Sequence, residues 1–488
     1  MFRRFQNRKS EAGDGAKHKR RPLGIDDCEK ELSGLFHQSI DISIQTFSTN
    51  KEKALIVYVD GLVSKDLIDR DIMHPLKSAA FDGDVKRALK SPFNETEDID
   101  EFVVDVLNGH VALFCSGTRK IYLIEFRHWN QRSVGEPSAE SVVRGPKEGF
   151  TESIRTNTAL IRRKIQHRNL VIEHMTIGRQ TNTAVELVYM NGIVNCDILA
   201  EVKRRLGKID VDAILESGYL EQYICDNPYS SASGIGLTQK PDIVAMRILE
   251  GRVAIVCDGT PHVLTIPEMF IECIQTSEDY YSRPVMGSML RVVRLFGLII
   301  TVLLPGTVVA VLAYNPEMVP AVFLSTVVRS MLKTPMSLSA EIFVMIVMFE
   351  ILREAGTRLP QAVGAAITIV GSLIVGEAAV RAGIASEMSV IVVAITAVSG
   401  FIVPNLNEFT VVYRFLFWFL GATMGLIGIG SGIVIMFAQL CSMSTFGLPI
   451  LSSFTREEMK DSLLRFRLKS LRFRPASIAR GNIRRKNM

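Results

Sequence analysis

The sequence predicts a multi-domain chain. Two tandem, related α/β subdomains form a cytoplasmic N-terminal half, and an α-helical polytopic membrane domain follows. Three observations predict this. Charge is split along the 488 residues, apolar runs crowd the second half, and one strand–helix–strand pattern occurs twice in the first.

The charge split sets the outer frame. Lys and Arg exceed Asp and Glu by six over residues 1–24, by one over 285–450 and by eight over 451–488, while 25–284 carries an excess of ten acids; the chain as a whole is +5. An acidic folded half thus precedes a charge-poor stretch, with a basic segment at each end. This excludes an ordinary soluble protein, a disordered chain and a disulfide scaffold. The seven cysteines are scattered, without a C-x-x-C pair, and are read as reduced cytosolic thiols. The basic start Met1-Phe2-Arg3-Arg4 lacks a following apolar stretch, so no signal peptide is expected. The expected organisation is a basic lead-in over 1–45, α/β subdomain 1 over 46–140, a connecting basic helix over 141–180, α/β subdomain 2 over 181–284, a transmembrane helical domain over 285–450 and a basic cytoplasmic tail over 451–488.

The repeat defines the subdomains. V-Y-V-D-G-L-V at 57–63 precedes an amphipathic pattern at Leu67, Ile68, Ile72 and Leu76. V-Y-M-N-G-I-V at 188–194 precedes another at Ile198, Leu199, Val202 and Leu206. G-H-V-A-L-F-C-S-G at 109–117 has its counterpart in G-R-V-A-I-V-C-D-G at 251–259. Each is an apolar strand ending in a glycine turn, with another strand after it. Asp60 and Asp258 have a structural cause, because such turns need positive φ, and are not assigned to catalysis. No Walker A loop, H-E-x-x-H, G-x-S-x-G or kinase motif set occurs, and the eight histidines do not cluster. No catalytic residue, cofactor or metal is therefore expected. Between the repeats runs a helix bearing Arg155, Arg162, Arg163 and Lys164, read as a solvated face or a contact to an acidic neighbouring subunit. Nucleic acid is excluded as a partner by the acidic balance of this half.

In the second half, residues 295–313 form a run of 19 without a charge, long enough to cross the hydrocarbon core. Uncharged runs of 16, 17 and 35 follow at 361–376, 388–404 and 415–449, and a broken region lies at 319–352. The basic tail, with Arg283, Arg291 and Arg294 before the first run, places both ends in the cytoplasm, which requires an even number of crossings. Four spans with an interfacial or re-entrant broken region is the first expectation. Six, with both long regions forming hairpins, is the alternative.

Two faces and a set of charges stand out. Gly421, Gly425, Gly428 and Gly432 share one helical stripe and are expected to serve close helix packing in lipid. Gln361, Ala365, Thr368, Ser372 and Gly376 form a small, polar stripe that either lines water or packs on another helix. Glu350 and Glu354 lie one turn apart, as do Glu377 and Arg381. These charges read either as headgroup-level i,i+4 pairs or, with Glu341, as the border of an ion path.

The motifs resemble those of a known family. R-G-P-x-E-G-F-T-E-x-I-R-T-N at 144–157, I-L-E-S-G-Y at 214–219, V-A-I-x-x-D-G-T-P at 253–261, S-E-D-Y-Y at 277–281, F-E-I-L-R-E-A-G-x-R-L-P at 349–360 and G-x-A-A-V-x-A-G-I at 376–384 resemble the A subunit of the GerA-type spore germination receptor (GerA/SpoVAF family). The sequence at 337–341, Ser-Leu-Ser-Ala-Glu, departs from the family pattern. The resemblance implies a nutrient germinant receptor component in the inner membrane of an endospore, with both termini facing the spore core. Its implied partners are membrane lipid, a transporter-like B subunit that binds the germinant, a lipoprotein C subunit and further copies of itself. The implied homo-oligomer is a pentamer around a germinant-gated pore for monovalent cations. In such a ring Gln361, Ala365, Thr368, Ser372 and Gly376 become candidate lining. Glu341, Glu350, Glu354, Glu377 and Arg381 become candidate selectivity or gating charges, and Arg155, Arg162, Arg163, Arg291 and Arg294 candidate interface or coupling residues. A SpoVAF-like amplifier and a non-conducting signalling scaffold remain open alternatives; a secondary transporter would favour inverted repeats in the spans, and the sequence shows none.

Overall fold

The computed structural model describes residues 24–49, 52–78, 81, 83–116, 118–126, 135, 137, 144–358, 370–371, 374–451, 460–475, 477–479 and 484–485. Its N-terminal half holds two five-stranded antiparallel sheets of equal strand order. In the first, β1 (Ile42–Ser48), β2 (Lys53–Val59), β3 (Phe93–Thr96), β4 (His110–Cys115) and β5 (Ile121–Glu125) lie in the order β1-β2-β4-β5-β3. In the second, β6 (Leu170–Ile177), β7 (Thr183–Met190), β8 (Gly236–Thr238), β9 (Val253–Cys257) and β10 (Val263–Ile266) lie in the order β6-β7-β9-β10-β8.

Both sheets are covered on both faces, and the period of two decides which residue goes where. Along β2, Leu55, Val57 and Val59 join one core with helices α1 (Ile25–Leu35) and α2 (Ile99–Leu107). Ala54, Ile56 and Tyr58 join the opposite core with the short helices over 65–89. Helices α3 (Ile154–Lys164), α4 (Cys196–Leu206), α5 (Ser217–Ile224) and α6 (Pro241–Leu249) cover the second sheet in the same manner. Gly61 and Gly192 take φ of 86° and 80°, the left-handed conformation their turns require.

The boundaries differ from expectation. The first sheet starts at Ile42, ahead of 46, and the second at Leu170, ahead of 181. The basic helix α3 is not a free connector: Leu160 and Ile161 sit in the core of the second sheet. The described part of the tail packs on the folded half. Ile478 enters that sheet's other core, and Arg465 is buried.

The C-terminal half is helical: α7 (Pro284–Tyr314), α8 (Ala321–Met331), α9 (Leu338–Thr357), α10 (Glu387–Gly400) and α11 (Asn407–Ser442). Among the described residues, two stretches are long and apolar enough to cross a membrane, Pro284–Tyr314 and Pro404–Ser442. The second is a hairpin. Gly425 breaks the helix with φ 60° and ψ −141°, and the chain turns back on itself. Tyr413 donates to Gln439 Oε1 at 2.7 Å, and Gly432 faces the Phe417 ring. The first arm runs parallel to α7: Arg414 Nε donates to the Thr301 carbonyl, Gly421 faces Gly306, and Tyr314 donates to the carbonyls of Ala422 and Thr423. Helix α9 runs against that arm, from Ser339 beside Trp418 to Arg353 beside Asn407. Helix α10 runs against α7, with Thr396 beside Thr301 and Ser399 beside Gly297. Both ends of α11 therefore lie at the end of the bundle nearest the sheets, where Phe270 meets Phe409 and Ser230 meets Met443.

Candidate functional site

The polar groups worth following are those buried where apolar sequence surrounds them, since each needs a compensating partner. The densest set ties the second sheet to α7. Asp279, in the S-E-D-Y-Y run, is fully buried. It accepts from Arg291 Nε at 2.9 Å and from Arg294 Nη1 at 2.9 and 3.0 Å. Arg294 Nη2 donates to Thr276 Oγ1 at 2.9 Å. Arg291 Nη1 continues to the carbonyls of Asp461 and Ser462 at 2.7 and 2.9 Å. Tyr280 donates to Asp461 at 3.0 Å, and its ring lies under the guanidinium groups of Arg291 and Arg465. Burial pushes the Asp461 carboxyl up, and Arg291 opposes that shift. The strand-bearing half, the first long helix and the tail thus meet at one charged node. Arg291 and Arg294 find partners within their own chain, at the junction of the two halves.

A second set lies inside the bundle. Arg414 is 1% exposed and donates to Glu350 Oε1 at 2.5 Å. Arg353 pairs with the same carboxylate and donates to Asn407 at 2.7 Å. Glu350 and Arg353 together therefore link α9 to the first half of the hairpin's first arm, at Asn407 and Arg414. Glu341 is fully buried and accepts from Ser386 N at 2.9 Å, Ser386 Oγ at 2.7 Å, Ser389 Oγ at 2.6 Å and Thr334 Oγ1. The Ser386 and Ser389 donors sit at the N-terminus of α10 and Thr334 just ahead of α9, so Glu341 ties α9 to α10. Glu354–Arg358 and Glu377–Arg381 are exposed i,i+4 pairs, each at 2.6 Å.

Gln361, Ala365, Thr368 and Ser372 lie outside the described residues; Gly376 faces Val390 of α10. A side chain at Gly421 would collide with the Gly306 backbone, and one at Gly428 with the Leu420 carbonyl; Gly425 forms the hairpin tip.

On the basic helix, Arg162 is 1% exposed. It grips Asp41 with Nε at 2.7 Å and Nη2 at 2.9 Å, and donates to the carbonyls of His167 and Leu170. It therefore ties the two sheets of one chain together. Arg163 and Lys164 pair with Glu148. Arg155 lies 3.4 Å from Glu186, whose carboxyl burial pushes up to about 7. Asp258 accepts from Ile154 N at 3.1 Å and so caps α3.

Sequence reasoning left Asp279, Arg414 and Asp41 unassigned. Arg414 carried a signal, a lone base beside an apolar run. Asp41 carried none, because its partner lies 121 positions away.

Residues 30–477 match the sequence model of a family described as Bacillus/Clostridium GerA spore germination protein. The chain is 38% identical over 438 residues to spore germination protein KA of Bacillus subtilis, covering 87% of this chain and 80% of that one. It is 36% identical over 439 residues to the uncharacterized membrane protein YfkQ of the same species, covering 88% and 86%. The crystal structure of the N-terminal domain of the A subunit of the Bacillus megaterium spore germinant receptor GerK3 aligns with 52% of this chain and 98% of its own, at 29% identity and a TM-score of 0.41. A match of this extent, ordered along both halves, makes the chain a member of the GerA spore germination protein family.

Proposed function

We propose that this chain is the A subunit of a nutrient germinant receptor in the inner spore membrane, where several copies, a pentamer, surround a monovalent-cation pore. Germinant bound by a transporter-like B subunit opens the pore, and a lipoprotein C subunit completes the complex. The observation that carries this reading is the node around Asp279, which fastens the sheet-bearing half to the first long helix through buried ion pairs. A movement of the folded half then reaches the helices without slack.

The hairpin at Gly425 supports six crossings, with both termini in the spore core. The six would be α7, α9, the uncharged run at 361–376, α10 and the two arms of α11. The equal strand order of the two sheets supports their origin by duplication. In a ring of copies, Gln361, Ala365, Thr368, Ser372 and Gly376 form the wet lining, and Glu341 or Glu350 biases the path toward cations.

The test is ion flux through the reconstituted chain, alone and with its B and C partners. Germinant-dependent flux that Ser372→Leu removes and Glu341→Gln alters supports the gated pore. An assembled complex without flux under any condition overturns it and leaves a signalling scaffold. A second reading is an amplifying channel of the same architecture outside any receptor. Flux by the chain alone, indifferent to germinant, selects that reading.

A further inference from the structure

Where the second sheet meets the near ends of the long helices there is a cavity of about 1050 Å³. This exceeds the usual span of small-molecule sites, roughly 300–1000 Å³. Its walls differ in chemistry. Phe270, Leu295, Phe401 and Val403 make one side apolar. The other side carries ion pairs: Arg247 with Glu268, and Arg252 with both Glu250 and Glu272.

Arg252 is incompletely satisfied. It is 2% exposed, and its Nη1 and Nη2 are taken by the two glutamates, but its Nε–H has no acceptor. A guanidinium N–H withdrawn from water calls for an oxygen acceptor, and a charged one binds it best. The apolar wall calls for hydrocarbon. A ligand that answers both carries an anionic oxygen head and an apolar body.

We propose that this cavity binds an anionic amphiphile, with its phosphate or carboxylate head at Arg252 and its hydrocarbon along Phe270, Leu295, Phe401 and Val403. The occupant props the sheet-bearing half against the helices, beside the Asp279 node, since Arg294 lines both. The inference rests on the membrane placement proposed above. The head chemistry is shared by a bilayer phospholipid and a free fatty acid.

The test uses the full chain in detergent, stripped of lipid. Phosphatidylglycerol, phosphatidylcholine and oleate are added separately as mixed micelles. Native mass spectrometry reads binding, and the unfolding temperature reads stabilisation. Two variants accompany wild type: Val403→Trp, which fills the apolar wall, and Arg252→Lys, which keeps the charge and removes the Nε–H. The expected result is one phosphatidylglycerol per chain with a raised unfolding temperature. Val403→Trp should lose both, and Arg252→Lys should weaken binding about tenfold. Oleate acting in place of phosphatidylglycerol supports the site with the free acid as its source. Equal response to phosphatidylcholine overturns the anionic head. Absence of binding and of stabilisation in wild type overturns the site altogether. Carbonate extraction of the cells separately reads membrane residence; release of the chain there defeats the membrane placement instead.

Discussion

Arg294 reaches back from the first long helix to Asp279, donating from one Nη1 to both carboxylate oxygens at 2.9 and 3.0 Å, and the aspartate is sealed from solvent. A single anion thereby holds two cations, because Arg291 shares it at 2.9 Å. Removing it leaves both guanidinium groups in a site shaped for a charge that is gone.

Asp279→Asn should therefore be among the most damaging single changes in the chain. Breaking a buried pair costs about 3–5 kcal/mol, since the orphaned charge keeps its desolvation penalty. Thermal unfolding of the full chain in detergent should show a large drop. Arg294→Lys should fall between the two, keeping the charge but losing the donor to Thr276. A variant as stable as wild type would show that the node is not a structural tie.

The glycines of the hairpin should separate sharply under a one-methyl test. At Gly421 the added methyl meets the Gly306 backbone, which has little room to yield. Overpacking of this kind costs about 1–3 kcal/mol. At Gly430 nothing lies within 4 Å of the added carbon. Gly430→Ala should be neutral or stabilising by about 0.5–1 kcal/mol, as alanine loses less entropy in a helix. Unfolding midpoints of the two variants check this; equal effects would contradict the packing.

Glu186 makes stability depend on pH. Burial raises its carboxyl to about 7 in the folded chain, against about 4.3 when unfolded. The folded state then binds the proton more tightly, so this group costs nothing below the unfolded value. Its penalty grows as pH rises through the window between the two, and is complete above about 7. Glu186→Gln removes it. The variant should match wild type near pH 4 and exceed it by about 3–4 kcal/mol near pH 8. A stability difference that does not change with pH would refute the shift.

Much of the fold was legible because it depends on short-range pattern. Alternation along β2 sends Leu55 and Ile56 to opposite cores, and both are apolar because both faces are covered. The turn glycines at 61 and 192 announce their own conformation. Edge strand β6 was harder. Its alternation is interrupted by Glu173 and His174, so the second sheet was placed too late. The hairpin was half legible. The uncharged run was too long for one crossing, but nothing local distinguishes Gly425, which reverses the chain, from Gly421, which continues the helix.

Sequence alone determined that a strand-bearing half precedes an apolar helical half, and the family to which the chain belongs. These follow from periodicity, composition and long ordered motifs, all properties of neighbouring residues. Tertiary structure decided the pairing of the charges. Arg162 with Asp41, Arg294 with Asp279 and Arg414 with Glu350 join positions far apart, on elements whose approach no local rule fixes. A basic residue looks the same in sequence whether it faces solvent, a second copy or a buried acid. Only the packing that removes water from around it reveals which one it serves.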